Sequence, residues 1–254
     1  MYLTSVVRVA STAMLRRYFS GRDPQQARFL TRSSLRWVWR HRAFTPHYLV
    51  SYVRFLAFKL RNPHVITRGF VFLGKNVELS ARRGHGRLVL GRWAHIGDGT
   101  AIRAHEGTVE IGDKVVFGRD NVVNGYLDIS IGESTLIADW IYICDFDHKF
   151  EQLGVPIKDQ GIAKLPVRIG ADCWLGTKVS VLRGTETGPG CVFAAHTVVR
   201  GDIPAYSVVA GVPGKVIKSR LPADPVRSGQ QRPVGAPEIG PAQRRVRPDE
   251  VDDE

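Results

Sequence analysis

Residues 169–204 read IGADCW LGTKVS VLRGTE TGPGCV FAAHTV VRGDIP, and the spacing of their apolar side chains decides the fold. An apolar or small residue recurs at every sixth position: Ile169, Leu175, Val181, Thr187, Phe193, Val199 and Ala205. The next residue is small in several units (Gly170, Gly176, Gly188, Ala194). Four residues after each lead comes a small or β-branched one: Cys173, Val179, Thr185, Cys191, Thr197, Ile203 and Val209. A period of six fits neither the 3.6-residue repeat of an amphipathic helix nor the alternation and hairpin turns of a sandwich. It fits a parallel β-helix in which each six-residue unit supplies one short strand and one corner, three units closing a triangular coil. Aliphatic side chains then stack inward, and small neighbours sit where the backbone turns tightly.

Working outward, the pattern returns in other phases. Ile96-Gly97 and Ile102 form one run, Ile111-Gly112, Phe117-Gly118 and Val123 another, and Ile131-Gly132, Ile137-Ala138 and Ile143 a third, with Leu73-Gly74 and Leu90-Gly91 at the start. Slips of phase between runs mark loops. One coil of eighteen residues separates Cys173 from Cys191, which places them on adjacent rungs about 4.8 Å apart as interior fillers. With Cys144 the cysteine count is odd and has no CxxC spacing, which argues against a disulfide framework or a zinc ribbon and for a reducing compartment.

The 254 residues and 43% hydrophobic content suffice for a core without covalent staples and exclude wholesale disorder. No run of 18 apolar residues occurs, so no segment is expected to span a membrane. The net charge of +12 is unevenly placed: residues 1–65 hold twelve basic residues against Asp23 alone, residues 66–220 hold 19 basic and 16 acidic, and residues 221–254 hold 5 and 7. Three regions are expected: a basic helical extension (1–65), a β-helix domain (66–220), and a Pro-, Gly- and Gln-rich tail (221–254) that reads as disordered. Asp23-Pro24 starts one helix reaching about Phe44, and Thr45-Pro46 a second reaching about Arg61, whose Leu49, Val53, Leu56 and Leu60 share one stripe. Either the extension caps the β-helix with that stripe, or it lies on an anionic membrane through its arginines, Trp37 and Trp39. An Arg- and Ser-containing targeting segment remains a third alternative. Nucleic acid is not the expected partner, because no nucleic-acid-binding motif accompanies the charge.

On residues 70–220, and most densely in Val167–Gly176, Cys191–Gly201 and Asp202–Lys215, the sequence resembles the left-handed β-helix, hexapeptide-repeat acyltransferases. The maltose, nodulation-factor and colanic-acid type O-acetyltransferases are the nearest in kind. The resemblance implies a mainly β, left-handed parallel β-helix that transfers an acyl group, expected to be acetyl, from coenzyme A to a hydroxyl of a carbohydrate or glycolipid, directly and without a metal. It also implies a homotrimer with sites between neighbouring β-helices, working in the cytoplasm, with a peripheral seat at the inner face of the membrane as an alternative. N-acyl transfer to an amino sugar or sugar nucleotide, and a non-catalytic scaffold, stay open as other readings.

Ile143-Cys144-Asp145-Phe146-Asp147-His148 is followed by about twenty residues without hexad register. A loop of that length in a solenoid is expected to be functional. The resemblance makes His148 the general base, and an imidazole near neutral pKa suits removal of a proton from an attacking hydroxyl. Asp145 or Asp147 is expected to hold its tautomer. By the same resemblance Trp174 stands beside the histidine, the Thr177 N–H (after Gly176) faces the thioester oxygen, and the Ala195 backbone meets pantetheine. Lys215, with Lys218 nearby, meets coenzyme phosphates. His196 either lies along the coenzyme track or fills an outward position. Asp120, Asn121 and Asn124 are acceptor candidates, each equally readable as a turn residue.

Overall fold

The computed structural model describes residue 26 and residues 32–40 and 42–222, with only the backbone at 33, 34, 37 and 47. The expected helix start at Asp23 and the tail beyond residue 222 lie outside the described residues. What is described is a left-handed parallel β-helix preceded by two helices, α1 (Arg32–Arg40) and α2 (Pro46–Arg61).

Three sheets form the faces of the prism. The first runs from Ile66–Thr67 through Gly86–Leu90, Gly107–Ile111, Asp128–Ile131, Val167–Ile169 and Glu186–Thr187 to Asp202–Ile203. The second includes Phe72–Leu73, Val116–Phe117, Leu136–Ile137, Trp174–Leu175, Val192–Phe193 and Ser207–Ala210, and closes with the antiparallel strand Lys215–Ser219. The third includes Glu78–Ala81, Ala101–Ala104, Val122–Gly125, Tyr142–Cys144, Ser180–Val181 and Val198–Val199. Inside, Ile137, Leu175 and Phe193 stack in one column and Val123, Ile143, Val181 and Val199 in another, all buried.

The corners account for an otherwise odd set of backbone angles. Trp93, Lys114, Ser134, Asp172 and Tyr206 have positive φ along one ridge; Asn76, Asp120, Trp140, Lys178 and His196 do so along another. A turn that must redirect each strand through the same angle needs one left-handed residue per corner, and β-branched residues, which fit that region worst, are absent from both sets. The small residues just before the corners answer to close stacking. A Cβ on Gly170 would lie 2.5 Å from the Gly188 carbonyl carbon on the next rung.

Coil length is not constant. Trp174 pairs with Val192, eighteen residues on, as the six-residue period requires. Earlier coils are longer: Ala101 pairs with Val122 and Val122 with Tyr142. The extra residues sit at the third corner, between the third and first sheets, and cause the phase slips seen in the sequence. At the other end the last coil is shorter. Ile203, not Ala205, pairs with Thr187 and is buried, while Ala205 packs over the Gly188 corner. The six-residue count therefore fails at its last unit, where the chain drops two residues before its final rung.

Helix α2 starts at Thr45-Pro46 as expected. Its docking face is not the expected one. Ser51, Phe55 and Lys59 are buried, and Tyr52 and Phe55 pack edge-on against Phe70, with ring centroids 4.9 and 5.0 Å apart. Leu49, Val53, Leu56 and Leu60 stay exposed, because aromatic residues on the neighbouring face fill the open end of the first coils better than a flat aliphatic stripe would. Helix α1 ends at Arg40, short of Phe44, in a turn with Arg42 at φ 48°. Lys59 donates to the Val65 carbonyl (2.7 Å), and burial pushes its pKa down to about 8.

Candidate functional site

The irregular segment after Tyr142–Cys144 leaves the prism at the third corner. Phe146–His148 pairs antiparallel with Ile162–Lys164, His148 opposite Ile162, and a short 3-10 turn (Ile157–Asp159) lies between them. This ribbon presents the His148 imidazole to solvent and carries the exposed apolar side chains Phe150, Leu153, Val155 and Ile157. Its root is fixed by aromatic packing up the corner, one residue per rung: His105 stacks on Tyr126 (4.6 Å), Tyr126 meets Phe146 edge-on (4.6 Å), and Phe146 lies 6.3 Å from His148. Lys164 pairs with Glu106, holding its carboxyl below the ordinary value, and sits 5.6 Å from the Tyr126 ring centroid.

The two expected carboxylates differ in what already holds them. Asp145 is fully buried and accepts the backbone N–H groups of Tyr126 (2.8 Å), Leu127 (2.8 Å) and Asp128 (2.7 Å). It closes the corner of the preceding rung, where those three amides have no strand partner on that side. Asp147 is engaged by Arg183, Nε to Oδ2 2.5 Å. For Asp145 this is a correction, since a fully buried carboxylate with both oxygens taken by backbone amides braces the corner and does not reach the imidazole, while Asp147 is tied by one oxygen to the same corner.

The acceptor candidates separate by depth. Asn121 is fully buried, its Oδ1 taking the Ile141 N–H (2.8 Å), so it faces the interior and cannot meet a ligand. Asp120 is a ridge residue at φ 55° whose amide donates to the Asp98 carbonyl. Asn124 lies on the outer surface of the third face. It is joined there by Tyr142 and by Arg103, which grips Glu78 through two bonds (2.6 and 2.8 Å) and keeps that carboxyl low. Burial pushes the Tyr142 hydroxyl and the Cys144 thiol up.

The residues matched to the coenzyme lie across that face, on the ridge between the second and third sheets. Thr177 and Ala195 occupy the same corner position on successive rungs. On this ridge an aspartate one rung up caps the amide below, Asp98 on Lys75 (2.7 Å) and Asp139 on Arg119 (2.7 Å). Above Thr177 stands Ala195 instead of an acid, and neither the Thr177 nor the Ala195 N–H donates to any group among the described residues; the two capping aspartates' own amides are likewise unpaired. The Thr177 hydroxyl donates to the Asp139 carbonyl (2.9 Å), which fixes that corner, and Gly176 is buried beneath it. Beyond Ala195, Gly214 donates to the Val198 carbonyl and Lys215 pairs with Ala210, setting the lysine at the upper end of the ridge. Trp174 is half exposed on the second face, in the column Leu136, Trp174, Val192, Val208, Lys218. His196 is an exposed corner residue at φ 62°.

One chain does not bring these groups together. His148 leaves the third face at one edge, beside Asp147 and Arg183, and Thr177 lies at the other. The six residues from Thr177 to Arg183 span up to about 20 Å. Tyr126, Tyr142 and Arg183 were not anticipated from the sequence. For the corner stack a signal exists, since His105, Tyr126 and Phe146 recur at the coil spacing. Among the described residues no three His, Cys, Asp or Glu side chains converge as a metal site, and no helix is long and apolar enough to cross a membrane.

No family model matches the chain. It is 63% identical over 199 residues to Rv3034c of Mycobacterium tuberculosis, named a probable acetyltransferase, over 78% of this chain and 66% of the relative. It is 40% identical to an Escherichia coli protein, WbbJ, named for lipopolysaccharide biosynthesis O-acetyl transfer (42% and 62%). It is 32% identical to E. coli WcaF, named for colanic acid biosynthesis acetyl transfer (50% and 70%). The chain thus spans just under two thirds of the first two. Among solved structures, the N-acyltransferase AntD of Bacillus cereus, in complex with dTDP and 3-hydroxybutyryl-CoA, shares the fold: TM-score 0.54, 17% identity, 65% of this chain and 88% of that one.

Proposed function

Because the chain belongs to the hexapeptide-repeat acetyltransferases, we propose that it is a coenzyme A-dependent O-acetyltransferase acting on a hydroxyl of a carbohydrate or glycolipid. The observation that carries the proposal is the pair of unpaired amides, Thr177 and Ala195, on a ridge that ends at Lys215, with an exposed imidazole at the far edge of the same face. Pantetheine is an amide-rich chain and finds its hydrogen bonds along such a ridge, while its phosphates meet Lys215 and Lys218. The thioester oxygen then lies against the Thr177 N–H, which stabilises the negative charge that develops on it. His148 takes the proton of the acceptor hydroxyl as oxygen attacks the thioester carbon. The tetrahedral intermediate collapses with loss of the coenzyme thiolate, which is protonated as the acetyl ester leaves. Asn124 and Tyr142, outward on the third face, hold the acceptor.

Base and oxyanion donor must both lie about 3 Å from the reacting group, yet here a whole face separates them. The site is therefore built between copies, His148 from one chain and the Thr177 ridge from its neighbour, most simply in a closed trimer. The exposed Phe150, Leu153 and Ile157 of the ribbon are the side chains that would pack on that neighbour.

Co-expression of two inactive variants tests both claims. His148→Ala removes the base; Lys215→Glu with Trp174→Ala damages the coenzyme side, at the end of the ridge and on the second face beside it. If each site draws one half from each of two chains, random mixing restores a quarter of the sites, and acetyl transfer from acetyl-coenzyme A to a cell glycan extract, read by mass spectrometry, returns to about a quarter of the parent rate. No recovery would mean that each site belongs to one chain. Full activity of His148→Ala alone would remove the base assignment.

A further inference from the structure

We propose that helix α2 is a seat for an anionic lipid bilayer, its outer face lying in the head-group region and the groove beneath its C-terminal half receiving lipid phosphates. This goes beyond the catalytic proposal and does not depend on it.

The first observation is an apolar helix face that no other described residue covers. Leu49, Val53, Leu56 and Leu60 follow one another at spacings of four, three and four and are between 51% and 67% exposed. A second face of the same helix, about 100° round from the stripe, is already used in docking through Tyr52, Phe55 and Lys59. A helix apolar on two sides is expected where it lies between two apolar phases, here the β-helix end and the interior edge of a bilayer. Two more large apolar side chains are exposed just before α2, Trp39 in the last turn of α1 and Phe44 after it, packed edge-on at 5.8 Å, and tryptophan is favoured at the bilayer interface.

The second observation is charge. From Pro24 to Val77 the sequence contains no acidic residue at all. A groove of about 530 Å³ runs between α2 and the first coil, and its polar lining is Arg54, Arg61, Asn62, Lys75 and Asn76. Arg54 and Arg61 stand seven residues apart on the flank of the exposed stripe, so the cations border the apolar face. Asp98, the acid that contacts this segment, is engaged by the Lys75 backbone amide. Cations beside an apolar stripe, with no acid, complement phosphate head groups and not an acidic peptide alone, which would leave the stripe uncovered. At 16 residues α2 suits lying on a surface and not crossing it.

The full chain is tested by sedimentation with vesicles of phosphatidylcholine alone or enriched in phosphatidylglycerol. Strong partition to the anionic vesicles only is expected, falling in about 0.5 M salt, where the Debye length is about 4 Å. Val53→Asp/Leu56→Asp should cut partition at least about tenfold. Arg61→Glu/Lys75→Glu should cut it about 30-fold or more, at roughly 1 kcal/mol per charge. Should the first variant fail to fold, Leu49→Gln/Leu60→Gln carries the same test. Partition of the stripe variants equal to the parent would overturn the proposal, since the basic residues before α2 would then suffice. A changed sedimentation coefficient of the stripe variants without lipid would also overturn it, because the face would then be a contact between copies.

Discussion

Replacing Asp145 with alanine or asparagine separates a structural acid from a catalytic one. The carboxylate is fully buried and accepts three backbone amides at 2.7–2.8 Å. Hydrogen bonds to a charged group contribute about 1.5–3 kcal/mol each, and the cost of burying the carboxylate offsets part of that sum. Alanine removes the buried acceptor and leaves three partly buried donors unpaired, so a loss of about 3–5 kcal/mol is expected. Asparagine keeps one accepting oxygen but turns an NH₂ toward amides, for a loss of about 2–3 kcal/mol. With a slope of about 2–3 kcal/mol per molar urea, the alanine variant unfolds at least about 1 M earlier. Amide hydrogen exchange should quicken first at Tyr126, Leu127 and Asp128, the three donors, since a solenoid opens locally before it unfolds as a whole. Transfer activity per folded molecule should fall by well under tenfold for asparagine at low temperature. A parent-like urea midpoint together with a hundredfold drop in kcat would sink this account and return Asp145 to the role of tautomer holder.

Lys59 gives a pH signature. Its folded pKa of about 8 lies below the ordinary 10.5, so between those values the unfolded chain binds more protons and stability rises with pH, by about 3 kcal/mol in all. Lys59→Met should be more stable than the parent at pH 7 and lack that rise, as measured by urea unfolding across pH 7–11. Ile203→Ala should cost about 2–4 kcal/mol, whereas Ala205→Ser should stay within about 0.5 kcal/mol; the reverse order would restore the uninterrupted six-residue count. Asn124→Ala should raise the acceptor KM about tenfold and leave the KM for acetyl-coenzyme A unchanged, because it lies on the face and not on the ridge.

The fold was legible because a solenoid writes its geometry into the chain with a local period. Ile169, Leu175, Val181, Thr187, Phe193 and Val199 are inward because each is six residues from the last, and no long-range information is needed to place them. The period fails where the coil changes length, and the causes there are not periodic. At the third corner the extra residues are held by bonds with no period, as where Asp145 closes over Tyr126–Asp128. At the C-terminal end, the strand Lys215–Ser219 pairs back on Ser207–Ala210 and ends the stack. Helix α2 shows a different limit: with aliphatic and aromatic residues on two different faces, hydrophobicity alone does not say which face docks. The shape of the coil end, set by Phe70, Phe72 and Trp93, selects the aromatic one.

The site was legible only in halves, and for a physical reason. Spacing and motif locate His148 at a junction and Thr177 on a ridge, but their separation is a property of the prism. A sequence that keeps six-residue register from Ile169 to Val199 fixes which face each residue occupies without stating that a whole face of the prism lies between the two. The unpaired amides illustrate the same point. Ala195 reads as an unremarkable small corner residue until Asp98 and Asp139 are seen capping the amides beneath them. Its contribution is then the carboxylate it lacks: an aspartate at 195 would meet the Thr177 N–H as Asp139 meets that of Arg119. Ala195→Asp should therefore abolish acetyl transfer at least as thoroughly as His148→Ala, by blocking the oxyanion donor and repelling the thioester, while leaving the free energy of unfolding in urea within about 0.5 kcal/mol of the parent, because the corner already accepts aspartate on two other rungs. Retained activity in that variant would mean that the thioester oxygen is held elsewhere.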